Sequence, residues 1–63
     1  MCESNAYVEK DGGQDLLLEN VGRLVFEGDT ILLEGILGDQ VRIRGSVKEI
    51  DFMSHRIVLR KNE

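Results

Sequence analysis

Proline and tryptophan are missing altogether from this chain, and cysteine and histidine occur once each. A single cysteine closes no intramolecular disulfide, which excludes the stapled frameworks of small secreted domains as well as zinc sites built from several cysteines. The aromatics are three, Tyr7, Phe26 and Phe52, too few for a surface that stacks on bases, and each is expected in the core or at an interface. No apolar run exceeds three residues, far short of the roughly 20 of a membrane-spanning helix. Met1-Cys2-Glu3-Ser4-Asn5 lacks the basic and apolar regions of a secretory signal, so a cytoplasmic location is expected. Positive charge is also scarce: 8 Lys and Arg stand against 12 Asp and Glu, a net charge of −4, the wrong overall sign for a protein that wraps phosphate backbones.

What is present suits one small domain spanning all 63 residues, with no room for a deep substrate cavity. A composition of 41% hydrophobic and 32% charged residues is that of a chain that folds. One core in so short a chain supplies only about 3–5 kcal/mol, and without disulfides the remaining source of stability is self-association.

Turn signals recur at Asp11-Gly12-Gly13, Glu27-Gly28-Asp29, Gly38-Asp39 and from Asp51 to Ser54. A spacing of about 8–12 residues marks an all-β chain, a small antiparallel meander or partly closed barrel of five to six short strands. The expected strands are residues 4–10, 15–19, 21–27, 30–37, 40–51 and 55–61. Along the fifth, Val41, Ile43 and Val47 alternate with Arg42, Arg44 and Lys48, one face for the core and one for solvent. The apolar positions then move to Ile50 and Phe52, a change of parity that requires a β-bulge near Lys48-Glu49. Ile31-Leu32-Leu33, Ile36-Leu37 and Ile57-Val58-Leu59 place apolar side chains on both faces, so something covers the second face. The cover expected here is another copy of the chain in a two-fold homodimer.

Chemistry concentrates at Cys2. The Met1 α-amine, the Cys2 amide nitrogen and the Cys2 thiolate are spaced to close two fused five-membered chelate rings on one ion, a nearly planar N,N,S donor set. Such donors suit Ni(II) or Cu(II) rather than tetrahedral zinc, and of the two nickel is favoured because thiolate tends to reduce Cu(II). A fourth donor is open to the Glu3 amide, a second copy's Cys2 or solvent. A free cysteine is more often a packing residue, but Cys2 sits among polar neighbours beside a free amine. His55 is the other candidate ligand, although a lone histidine in a turn is ordinarily just solvated. One histidine and one cysteine do not supply a nucleophile, a base and an orienting group, so no catalytic residues are assigned and the protein is read as a non-enzyme. Asp11-Gly12-Gly13 lacks the lysine and helix of a phosphate loop. The basic stripe Arg42, Arg44 and Lys48 is the best sequence argument for RNA or DNA, and its simpler reading is cross-strand pairing with Glu27, Glu34 or Glu49.

With its Met1-Cys2 start, the following Ser4-Asn5-Ala6-Tyr7-Val8, glycine-punctuated β segments and a closing Met53-Ser54-His55-Arg56-Ile57-Val58-Leu59, the whole chain resembles the CooT family of small nickel-binding accessory proteins. That resemblance implies an all-β homodimer that binds Ni(II) through the N-terminal cysteine and assists nickel insertion into carbon monoxide dehydrogenase. Cys2, with Met1, is the functional position that carries over. A more distant likeness is to HypC-type hydrogenase maturation chaperones, whose proline soon after the cysteine is missing here. The leading expectation is a nickel-binding accessory protein with a nickel-enzyme client or maturation factor as partner. The alternatives are a small β-barrel nucleic-acid-binding protein and a HypC-like chaperone.

Overall fold

The computed structural model of the protein describes residues 3–62 and contains five strands: β1 (Ser4–Lys10), β2 (Gly13–Glu27), β3 (Thr30–Gly35), β4 (Gln40–Asp51) and β5 (Arg56–Lys61). Among the described residues there is no helix. Each strand pairs antiparallel with the next, and β1 closes the ring by pairing in parallel with β5. Parallel closure follows from number: in an up-and-down chain of five strands the first and last run the same way. Closure leaves no long open edge for another chain to extend.

Tight turns connect the early strands. Asp11 and Gly12 both have positive φ (46° and 81°), the pattern of a type I′ hairpin turn, and Gly28 (66°) starts the next one in the manner of a type II′ turn. The third connection, Ile36-Leu37-Gly38-Asp39, is held by the Gly38 amide donating to the Gly35 carbonyl at 2.9 Å and the Gly35 amide donating to the Asp39 carbonyl at 2.7 Å. Strand β3 therefore ends at Gly35, two residues before the expected end, because the chain has already begun to turn.

A ring this small demands long, bent strands that serve two neighbours. The expected strands 15–19 and 21–27 are one strand, β2, which pairs with β1 through its first half and with β3 through its second. Extra residues are inserted on β2 between the Ser4, Ala6 and Tyr7 pairings and again between Val21 and Arg23. Asn20, at φ 54°, bends the strand without breaking it. Strand β4 makes the equivalent corner, pairing with β3 up to Arg44 and with β5 from Gly45. The expected bulge is there, as a register shift between Val47 and Glu49.

Inward positions of the five strands supply the core: Ala6, Val8, Val21, Ile31, Leu33, Ile43, Ile57 and Leu59, with Leu17, Leu18, Leu24 and Val47 packed against them. At roughly 25 cal/mol per Å² of apolar surface removed from water, this cluster is the main source of stability. Two expectations are corrected. Leu32 and Val58 face outward yet are only 5% and 2% exposed within a single copy, so they need no second chain to cover them. Leu32 is flanked in register by Val25 and by Arg42, which Glu27 holds. Val58 is flanked by Tyr7 and Glu49, with the Arg56 guanidinium 4.1 Å from the Tyr7 ring centroid. Apolar bodies of long polar side chains thus roof the second face. The aromatics, conversely, do not enter the core: Phe26 and Phe52 are exposed, and Ile50 stays exposed beyond the bulge. The bulge bends β4 but does not return Ile50 and Phe52 to the interior.

Candidate functional site

Met1 and Cys2, the expected nickel ligands, lie outside the described residues; the rim of the barrel where β1 begins is defined. Four segments meet there through two main-chain bonds and one bond to the Asn5 side chain. The Asn5 amide donates to the His55 carbonyl at 3.0 Å, joining the start of β1 to the turn before β5. The Asn20 amide donates to the Asn5 side-chain oxygen at 3.1 Å, joining β1 to the bend of β2. The Asn20 carbonyl accepts from the Ile36 amide at 2.9 Å, which adds the turn after β3. Asn5, three residues after Cys2, is thus held both to the turn before β5 and to the bend of β2.

The residues that hold the rim are those that tolerate its backbone. Asn20 and His55 have φ of 54° and 56°, left-handed values in which asparagine and histidine are enriched. His55, singled out as a candidate ligand, is therefore at the end of the barrel where β1 begins. Its backbone carbonyl is engaged and its exposed side chain belongs to the rim. That Asn5 and Asn20 tie the rim together was not legible in the sequence. The available signal was asparagine inside an otherwise β-forming stretch, as in Glu19-Asn20-Val21. Asp51 shapes the neighbouring turn by accepting the Met53 and Ser54 amides, both at 3.0 Å. The Ser54 amide foremost, then the Ser54 hydroxyl and the Met53 amide, hold its carboxyl below the usual aspartate range.

Among the described residues no three His, Cys, Asp or Glu side chains come together as a metal cage. Each cation of the stripe Arg42, Arg44 and Lys48 makes an ion pair at the surface. Arg42 meets Glu27 at 3.3 Å as expected, but Arg44 reaches Asp29 at 2.9 Å, and Lys48 shares Glu9 with Arg60. Glu34 is taken instead by Arg23 at 2.8 Å and by the Gln40 amide at 3.0 Å. Register explains the exchange: Arg44 lies opposite Thr30, which places Asp29, not Glu49, beside it. These contacts lower the Glu9, Asp29 and Glu34 pKa values, through Lys48 then Arg60, through Arg44, and through Arg23 then Gln40 respectively.

Concavities lie at both ends of the barrel among the described residues. One of about 370 Å³ lies beside the rim, between Leu16 to Asn20 of β2 and the Ile36 to Asp39 turn. The other, about 660 Å³, opens at the far end of the barrel, where Lys10, Asp11 and Lys61 surround the edges of Val8 and Ile43.

Comparison with known proteins places this architecture. Residues 1–60 match the sequence model of CooT, the CO dehydrogenase accessory protein. An uncharacterised protein of Archaeoglobus fulgidus is 43% identical over 42 residues, 67% of this chain and 93% of that protein. The fold superposes with a TM-score of 0.91 on the crystal structure of a protein assigned as CooT from Carboxydothermus hydrogenoformans, at 31% identity and covering 98% of this chain and 100% of that one. The chain belongs to the CooT family of CO dehydrogenase accessory proteins.

Proposed function

We propose that this protein binds Ni(II) as cargo through its Met1-Cys2 start and passes it to a maturing nickel enzyme, carbon monoxide dehydrogenase or a related client. The observation that carries the reading is the family match over residues 1–60, which includes Met1-Cys2, the one planar N,N,S donor set that the sequence offers. The rim supports it mechanically. Strand β1, which follows the ligand pair in the chain, is tied to β2 and to the turn before β5 from its second residue. Rigid support limits the freedom lost when ligands converge on an ion. Each cation of the stripe is paired with a carboxylate of this chain, which supports the cross-strand reading over a nucleic-acid one.

The reading includes a homodimer. With Leu32 and Val58 covered internally, the exposed apolar side chains are Leu16, Phe26, Ile36, Leu37, Ile50, Phe52 and Met53, and of these we assign the two-fold contact to the adjacent pair Phe52 and Met53, 78% and 92% exposed on the turn after β4. The test of the metal site is titration with nickel while following thiolate-to-metal charge-transfer absorption. Wild-type protein should take up about one Ni(II) per chain, or one per dimer if two Cys2 thiolates share it, and Cys2→Ser should take up none. Unchanged nickel binding by Cys2→Ser would refute the chelate.

A further inference from the structure

The concavity between β2 and the Ile36 to Asp39 turn is built as a docking groove, and we propose that it receives an apolar, positively charged segment of the client protein. The proposal rests on the chain's role as an accessory to another protein and names the surface that engages it. Leu16, Leu17 and Leu18 form one wall and Ile36 and Leu37 the other; Leu37 is 93% exposed and Leu16 and Ile36 about half exposed. The walls are fixed relative to each other. Ile36 is bonded through its amide to Asn20, and a side chain on Gly22 would come within 3.2 Å of the Ile36 methyl, so the turn rests directly on the bent strand. A preformed apolar groove loses little order when it is filled.

Charge selects the occupant. Glu19 and Asp39 line the groove, and among the described residues neither makes an ion pair with a cation of this chain, as is also true of Asp11, Asp15 and Glu49 outside it. A two-fold contact uses the same patch on both copies and would bring Glu19 and Asp39 toward their own duplicates. Like charges across an interface are unfavourable, while lysine or arginine flanking an apolar segment is complementary. Position adds the functional consequence. Asn20 in the groove wall is bonded to Asn5, three residues after Cys2, so a segment seated there lies next to the end of the barrel that carries the proposed metal ligands.

The test uses ¹⁵N-labelled full-length protein titrated with peptides tiled from carbon monoxide dehydrogenase, and with the nickel-free enzyme itself. Peptides that bind should combine leucine, isoleucine or phenylalanine with lysine or arginine, and should shift amide signals of residues 16–20 and 36–39. Leu37→Ser and Glu19→Lys, both at exposed positions, should each weaken binding at least tenfold, Glu19→Gln less, and added salt should weaken the wild type. Absence of binding by both peptides and enzyme, shifts confined to other surfaces, indifference to Glu19→Lys, or conversion of a dimer to a monomer by Leu37→Ser would each overturn the proposal, the last by showing that a second copy fills the groove. Failure of the nickel reading is distinguishable. Cys2→Ser should still bind the peptides, and Leu37→Ser should still bind nickel.

Discussion

Single residues carry the chemistry and the backbone strain of this protein. If nickel is held by the Met1 amine, the Cys2 amide and the Cys2 thiolate, each donor must first lose a proton. With an ordinary thiol pKa near 8.5 and an α-amine near 8, apparent nickel affinity should fall steeply as pH drops below about 7. Charge-transfer titrations between pH 6 and 8.5 check this, and a flat profile excludes these donors. An extension placed before Met1 turns the amine into an amide and should be as damaging as Cys2→Ser. His55→Ala asks whether the imidazole, brought to the same rim by the Asn5 bond to its carbonyl, joins the metal. For the N-terminal chelate alone the affinity should stay unchanged, and a large loss would make His55 a ligand. Asn20 tests the rim without metal. At φ 54° an alanine is strained and a glycine is not, so Asn20→Ala should lose about 1 kcal/mol of stability and Asn20→Gly less, as read by urea denaturation.

The strands show which features local sequence reveals and which only closure of the barrel determines. Alternation along Val41 to Lys48 located β4 and its outward cations, and the parity change beyond Lys48 located the bulge. Both are properties of one strand, and one strand suffices to read them. The continuity of β2 was hidden, because Asn20 looks like a turn residue until two different partners bond the halves on either side of it. The cover of Leu32 and Val58 was hidden for the same reason. It comes from Arg42 and Tyr7 on neighbouring strands, and residue type does not disclose register. Of the candidate site, the donor set could be read from two adjacent residues, whereas the rim joins Asn5, Asn20, Ile36 and His55 across 50 positions of sequence. Gly45 shows closure acting on one residue. Where β4 leaves β3 for β5, a methyl group at Gly45 would lie within 3.0 Å of the Lys61 Cα and the Arg60 carbonyl carbon, and closer to the Arg60 carbonyl oxygen. Backbone cannot swing aside as a side chain can, so Gly45→Ala should cost about 1–3 kcal/mol. The check is its denaturation midpoint against that of Gly12→Ala, which meets no atom within 4 Å and is disfavoured by φ alone.

At the scale of the whole molecule, assembly and charge act together. A homodimer joined through Phe52 and Met53 should sediment at twice the chain mass at micromolar concentration and dissociate on Phe52→Ser with Met53→Ser. A wild-type monomer would leave those side chains unexplained. Acid response follows from the ring of ion pairs around the barrel. Glu9 is the most connected acid, shared by Lys48 and Arg60, which bridge β1 to β4 and β5 and so fasten the parallel closure. Its pKa is held below the ordinary glutamate value near 4.3, and those of Asp29, Glu34 and Asp51 are also lowered. A carboxyl whose pKa is depressed by folding contributes its full stabilisation above its unfolded pKa. That contribution is lost as pH falls through the unfolded value toward the folded one. Melting temperature should therefore be nearly level from pH 7 to about 5 and decline below about 4.5. These pairs are exposed, so the slope should be shallow and should flatten in high salt, where surface charges are screened. Glu9→Gln separates this cause from general charge repulsion. The variant should melt below the wild type at pH 7, approach it near pH 3, and keep the same midpoint dependence on denaturant. A constant difference between the two proteins across that range would remove the Glu9 pairs as a source of acid sensitivity and leave the net positive charge of the acidified chain to explain it.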